Sequence, residues 1–292
     1  MATYGVLVCY YSENKKTATN RFKKILNKID DDNHLVIVNN SSMPIVYTNA
    51  EYELNGDNVG WEFGSWDIGY NYINSRIKNE DVLIFANDTF CFNRRFSFFD
   101  EWLFVQAFKK IMKNNEIVVG ELCELNENFV IEGVELNGWI STYLYGASAS
   151  KIRYLLPFHN QIRELENCID FEKREVHLSN ASDNLNTHLS RWLFPKDNQH
   201  GWYKAKQGSI EKELWKGKLQ AIYNEKLLSA KSVLLGLNLY NVYTYIQRSY
   251  RGMNISLIIL GSGKKWDTKF LVGKKISLSS FSRLDGIKIL SY

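Results

Sequence analysis

Three apolar stretches in the N-terminal part of the chain end in side chains that suit a polar ligand. YGVLVCYY runs out through Tyr10 and Tyr11 into Ser12, HLVIVNN ends in Asn39 and Asn40, and DVLIFANDTF carries Asn87 and Asp88. Between the last two lies NVGWEFGSWDIG, residues 58–69, which gathers Gly60, Gly64 and Gly69 with the acids Glu62 and Asp67. Aromatic and hydroxyl groups hold a nucleobase and a ribose. The exposed N–H groups of a glycine turn leading into a helix hold a diphosphate, because a helix N-terminus combines unpaired donors with the positive end of the helix dipole. Asp88 suits a divalent cation, Mg²⁺ or Mn²⁺, that neutralises such a diphosphate. Together these residue types make the chemistry of a nucleotide-sugar site. On the blander reading the three glycines only shape a turn that packs a helix on a sheet, and Trp61, Phe63 and Trp66 are core aromatics where the sharper reading has them line a sugar pocket.

The elements that must position these groups follow from apolar periodicity. YGVLVCYY and HLVIVNN read as buried strands, and in ENKKTATNRFKKILNKI between them Ala18, Phe22, Ile25, Leu26 and Ile29 fall at helical spacing. A strand, helix and strand joined by short connections favour a parallel sheet, since parallel neighbours need a crossover. The polar strand ends then lie at the carboxyl edge of the sheet, where open α/β sheets bind ligands. IGYNYINSRIK continues as a helix, DVLIFANDTF is a third strand, FDEWLFVQAFKKIMKN a helix, EIVVGELCE a fourth strand, and GWISTYLYGASASKIRYLL a strand running into a helix. SDNLNTHLSRWLF shows helical spacing at Leu185, Leu189, Trp192 and Leu193 and is closed by Pro195, and a long helical stretch starts at Glu211. The fold expected is α/β, a Rossmann-type mixed but mostly parallel sheet flanked by helices, followed by a helical, basic C-terminal region.

Composition narrows the function classes. With 292 residues, 45% hydrophobic and 23% charged, the chain has ordinary globular usage and length for a large core. Cys9, Cys91, Cys123 and Cys168 are widely spaced with no CxxC pair, which points to reduced thiols and a cytoplasmic setting. The five histidines show no HxxxH or HExxH spacing, and GASAS around Ser148 is not a G-x-S-x-G elbow, so neither a zinc-protease site nor a hydrolytic triad is expected. No run reaches the roughly 18–20 apolar residues of a membrane span. Residues 203–292 hold 16 Lys and Arg against 5 Asp and Glu, whereas residues 1–202 hold 20 against 27. That asymmetry divides the chain into a ligand-binding region, 1–202, and a basic region, 203–292. Lys264, Lys265, Lys269, Lys274 and Lys275, interleaved with Trp266, Phe270 and Leu271, suit either open solvent or the anionic inner face of the plasma membrane. No nucleic-acid module is recognised, and nucleic acid is not an expected partner.

NVGWEFGSWDIG, followed after a gap by DVLIFANDTF, resembles the N-x-G-x-[DE]-x-G-x-x-x-x-G element and the Asn-Asp strand end of rhamnan-synthesis-type glycosyltransferases. It is similar, more loosely, to the inverting GT-A glycosyltransferases that include many rhamnosyltransferases. The resemblance covers roughly residues 4–195 and implies a GT-A-like catalytic domain. It further implies an enzyme that moves a sugar, with inversion, from a nucleotide-sugar donor to a glycan or lipid-linked oligosaccharide of a cell-surface polysaccharide. It makes Asp57, Asn58, Gly60, Glu62, Gly64 and Asp67 donor-side candidates beside Tyr10, Tyr11, Ser12, Asn39 and Asn87, and Asp88 the metal-side candidate. The usual motif ends its strand with two acids, whereas this chain reads Ala86-Asn87-Asp88-Thr89 with one. In the looser relatives the catalytic base opens a late helix, the place of Asp183 here, with Glu121 and Glu124 beyond the fourth strand as rivals. Asp183 also suits a plain helix cap. The missing second acid leaves open a scaffold or binding protein that kept the fold without the chemistry.

Overall fold

The computed structural model describes residues 1–41, 51–92, 96–196, 201–206 and 211–244. Every residue of β1 (Thr3–Cys9) is buried, as expected of a central strand covered on both faces. α1 (Ser12–Ile29) lays Ala18, Phe22, Ile25, Leu26 and Ile29 inward and returns the chain to β2 (Asn33–Asn39), parallel to β1. The sequence reading misses β3 (Tyr52–Asn55), a four-residue edge strand parallel to β2. YELN is too short and too polar to stand out, and only pairing with β2 makes it a strand.

α2 (Trp61–Ile73) begins seven residues before the helix expected at Ile68, so the glycine-bearing stretch is mostly helix and only its opening is turn. Gly69 in α2 faces the sheet: a Cβ there would stand 2.4 Å from Val6 Cγ1, so the glycine sets how closely the helix approaches. β4 (Val82–Asn87) then pairs with β1 on the side opposite β2, again parallel. After α3 (Phe98–Ile111), capped by reciprocal Ser97–Asp100 bonds, the chain forms a long hairpin, β5 (Ile117–Ile131) and β6 (Val134–Ser148). β6 inserts antiparallel between β4 and β5.

α4 (Ala149–Leu155), a two-stranded ribbon of β7 (Ile169–Asp170) and β8 (Glu175–Val176), α5 (Asp183–Leu193) and α6 (Lys212–Leu234) follow. β9 (Asn238–Asn241) closes the far edge, parallel to β5, for a sheet order β3-β2-β1-β4-β6-β5-β9. The result is an α/β fold with a mixed, mostly parallel sheet flanked by helices. α1 and α3 cover one face. α2, α4 and α6 cover the other, and α6 also packs with α5 against the projecting half of the hairpin. α6 and β9 thus share the sheet and cores of the earlier strands, and the charge boundary at residue 202 marks no break in packing. The lysines at 264–275 lie outside the described residues. Among the described residues no helix is long and apolar enough to cross a membrane.

Candidate functional site

β1 has parallel neighbours on both sides, and the chain winds from β1 outward to β3 before crossing back to β4. Such a reversal opens a crevice beyond the carboxyl ends of the two strands. The structure has a cleft there of about 230 Å³. Val8, Tyr10 and Tyr11 line it from the end of β1, and Asn87, Asp88 and Thr89 from the end of β4. Asn40, Asn58, Trp61 and Glu62 form one side, and Trp202, Lys204, Leu214 and Lys218 the other.

Asp88 joins the two strand ends. It is 2% exposed, and its Oδ2 accepts the backbone N–H groups of Tyr10 and Tyr11 at 2.8 and 2.7 Å. Burial pushes its carboxyl up to about 6, the two N–H donors pull the other way, and Glu13 and Glu62 push further up. The Tyr10 and Tyr11 rings meet edge to face at 5.0 Å, with Tyr10 half exposed at the mouth.

The entry to α2 is held by a contorted turn. Asn58, Gly60 and Trp61 all have positive φ, at 59°, 69° and 55°, an uncommon conformation for a bulky residue such as tryptophan. Asn40 fixes the turn by donating from Nδ2 to Asn58 Oδ1 at 3.1 Å and accepting from Ser65 Oγ at 2.9 Å. Trp61 rests on α6 at Gly217, where a Cβ would come within 3.0 Å of the indole. Lys218 lies 5.8 Å from the Trp61 ring and 5.4 Å from the Trp192 ring. Burial raises the Glu62 carboxyl, Lys218 opposes that rise, and Glu225 adds to it.

Of the residues singled out from sequence, Tyr10, Tyr11, Asn58, Glu62, Asn87 and Asp88 meet at this cleft. The others are engaged elsewhere. Ser12 Oγ donates to Glu13 at 3.3 Å on the exposed start of α1. Asn39 accepts from Ser41, and its neighbour Asn40 takes the place in the cleft. Asp57 is exposed and accepts the Val59 N–H at 2.9 Å, a local turn. Gly60 and Gly64 serve close packing: an added Cβ would stand 2.5 Å from His159 and 2.0 Å from the Val59 carbonyl oxygen respectively. Asp67 accepts the N–H groups of Phe158 and His159 at 2.8 and 2.9 Å and ties α2 to the segment after α4.

None of the three proposed bases lines the cleft. Asp183 is exposed in the first turn of α5, where a carboxylate complements the helix dipole. Nine residues of helix, about 13 Å, separate it from Trp192, the α5 residue beside Lys218. Glu121 is buried and accepts from the Tyr143 hydroxyl at 2.8 Å. Glu124 is exposed on β5 opposite Gly138.

The donor set does not fit a divalent cation held by the protein. Asp88 has one oxygen committed to two amides, Asn87 Oδ1 accepts from Thr89 N–H and Oγ1, and Lys204 and Lys218 line the same cleft. Among the described residues no three His, Cys, Asp or Glu side chains gather in metal-binding range.

Sequence reasoning missed Trp202, Lys204, Leu214 and Lys218. The usable signal was Gly217 inside a helical stretch, a placement that costs about 1 kcal/mol against alanine and so implies a close neighbour. Behind the cleft, Glu225 accepts from Trp139 Nε1 at 2.8 Å and from Thr142 N–H at 3.1 Å. Lys226 is buried with its ammonium 3.9 Å from the Trp139 ring centre. Burial lowers His188 to about 4, helped by Lys226 and Arg191.

Compared with protein-family models and with curated proteins, the chain matches none. Its function is therefore read from this geometry.

Proposed function

We propose that the protein is a glycosyltransferase with a GT-A-like fold that transfers a sugar from a nucleoside-diphosphate donor, with inversion, to a glycan or lipid-linked acceptor. The observation that carries the reading is the meeting of aromatic, amide, carboxylate and ammonium side chains at the crevice beside β1 and β4. Tyr10 and Tyr11 offer ring faces to a base, Asn40, Asn58 and Asn87 offer amides to a ribose, and Lys204 and Lys218 offer charge to a diphosphate. The cleft is smaller than the roughly 300–1,000 Å³ of common ligand pockets, so the sugar and acceptor extend beyond its described walls. A cytoplasmic place at the inner face of the membrane accords with a lipid-linked acceptor.

In the transfer the acceptor oxygen attacks the anomeric carbon, the bond from that carbon to the phosphate oxygen breaks, and the diphosphate leaves with the electron pair. The acceptor proton goes to a carboxylate within hydrogen-bond reach. Glu62 takes that role in this reading: it lines the cleft and makes no hydrogen bond to another residue among the described ones. Asp88 is occupied in holding Tyr10 and Tyr11 in place.

A thermal-shift screen against UDP, dTDP, GDP and CMP tests the binding half of the reading. Selective stabilisation by one nucleotide supports it through mass action, and no shift at millimolar concentration rejects it. The second reading, a protein that binds a nucleotide sugar without transferring it, draws on the commitment of Asp88 to the fold. It expects the same shift and no nucleotide released from the donor.

A further inference from the structure

The cleft holds two ammonium groups, those of Lys204 and Lys218, with no hydrogen bond or ion pair to either among the described residues. Lys218 is half-buried, yet its neighbours are two indole faces, Trp61 at 5.8 Å and Trp192 at 5.4 Å. Aromatic faces attract and orient a cation without neutralising it, and the nearby Glu62 carboxyl feels the charge of Lys218 but is not bonded to it. Much of the local structure serves this arrangement. Trp61 sits at a positive φ in contact with Gly217, one residue before Lys218, and the two helices meet there, the start of α2 and the first turns of α6. The start of α2 also lines the cleft through Trp61 and Glu62, and adds the partial positive charge of a helix N-terminus.

We infer that Lys218, with Lys204 lining the same cleft, binds the diphosphate of the ligand and fills the role usually given to a divalent cation. The inference rests on the nucleotide-binding reading of this cleft and deepens it. A dication would have to share the space with two ammonium groups and draw its protein ligands from Glu62, which already faces the charge of Lys218, and from the one uncommitted carboxylate oxygen of Asp88. A diphosphate meets two charged donors there, and charge-assisted hydrogen bonds are short and strong. Asp88 then serves the site indirectly, by holding Tyr10 and Tyr11 at the end of β1.

The test is isothermal titration of the full chain with UDP, dTDP and GDP, first in EDTA and then with Mg²⁺ or Mn²⁺, with UMP, dTMP, GMP and inorganic pyrophosphate as further arms. Lys218→Met and Lys204→Met keep the apolar stems and remove the charge, and their melting temperatures check that both still fold. We expect the best nucleoside diphosphate to bind within about twofold with or without the cation, and at least about tenfold more weakly to Lys218→Met. The wild type should prefer the diphosphate to the monophosphate, and the double variant should lose that preference. Binding that needs Mg²⁺ or Mn²⁺, or variants that bind as the wild type does, would overturn the inference while leaving the nucleotide site standing. Pyrophosphate binding as tightly as the nucleotide would reassign the lysines to a free-phosphate site. No binding of any nucleotide under any condition would remove the nucleotide reading and this inference together.

Discussion

The two walls of the cleft differ in charge, in origin and in how they are held. One wall comes from the ends of β1 and β4 and the start of α2, and presents the carboxyls of Asp88 and Glu62. It is braced by hydrogen bonds, Asp88 to Tyr10 and Tyr11 and Asn40 to Asn58 and Ser65. The other comes from residues 202–218, presents Lys204 and Lys218, and is braced by packing of Trp61 on Gly217 and of Trp202 on Trp215 at 4.9 Å. Hydrogen-bonded carboxylates fix a backbone because each removes several orphan donors at once. Lys218, held by ring faces, stays available to an anion. In the proposed transfer the first wall sets geometry and proton transfer, and the second sets affinity.

That division can be broken from either side. The largest effect is expected at Glu62: Glu62→Gln should lower the transfer rate by about 10²–10⁴, the usual contribution of a general base, with nucleotide affinity and melting temperature nearly unchanged. A normal rate in steady-state assays with the best donor would place the base elsewhere. Asp88→Ala comes next, since it leaves two partly buried N–H groups unpaired. With two charged hydrogen bonds contributing about 1.5–3 kcal/mol each, a urea-unfolding loss of about 3–6 kcal/mol is expected. Asp88→Asn, which keeps an acceptor oxygen, should recover most of it.

Gly60→Ala combines a positive φ with a ring contact to His159 at 2.5 Å and should cost about 1–3 kcal/mol by the same measurement. Gly133→Ala shares the positive φ without any atom within 4 Å and should cost about 1 kcal/mol. Equal losses at the two positions would show that the His159 contact contributes nothing.

The smallest effect is a pair of opposed pH dependences. Burial raises folded Asp88 to about 6, above about 3.9 in an unfolded chain. Its contribution is complete below the unfolded value and is lost as pH rises through about 6. Burial lowers folded His188 to about 4, below about 6.5 unfolded. Its contribution is complete above the unfolded value and is lost as pH falls through about 4. Between pH 6.5 and 4 the two oppose each other. Asp88→Asn should therefore lose more stability than the wild type when taken from pH 7 to 4.5, and His188→Phe less. Urea midpoints of the three proteins at both pH values check the sign, and parallel shifts would deny both assignments.

Much of the first wall was legible along the chain. Buried β1, β2 and β4 end where their apolar runs end, and polar residues at the ends of parallel strands necessarily gather at one edge of the sheet. The 58–69 stretch was half legible. Its glycines do mark close approach, but the approaching groups are His159, the Val59 carbonyl and Val6, none of which local pattern identifies. Trp66 is wholly buried and donates from Nε1 to the Ala86 carbonyl at 3.1 Å, which settles it as core. Asp67 and Asp88 look alike in sequence, and each accepts two successive backbone N–H groups. Only the fold sends one to the Phe158–His159 segment and the other to the end of β1.

By itself the sequence determined the central strands β1, β2 and β4, most of the helices and the edge of the sheet where polar groups collect, because burial periodicity is a local property of the chain. The tertiary structure decided the rest: α6 as the second wall, β6 antiparallel between β4 and β5, and Asp183, Glu121 and Glu124 away from the cleft. Those outcomes depend on which elements pack together across more than a hundred residues. That choice is made by the shapes and hydrogen-bonding needs of whole surfaces, which no short stretch carries.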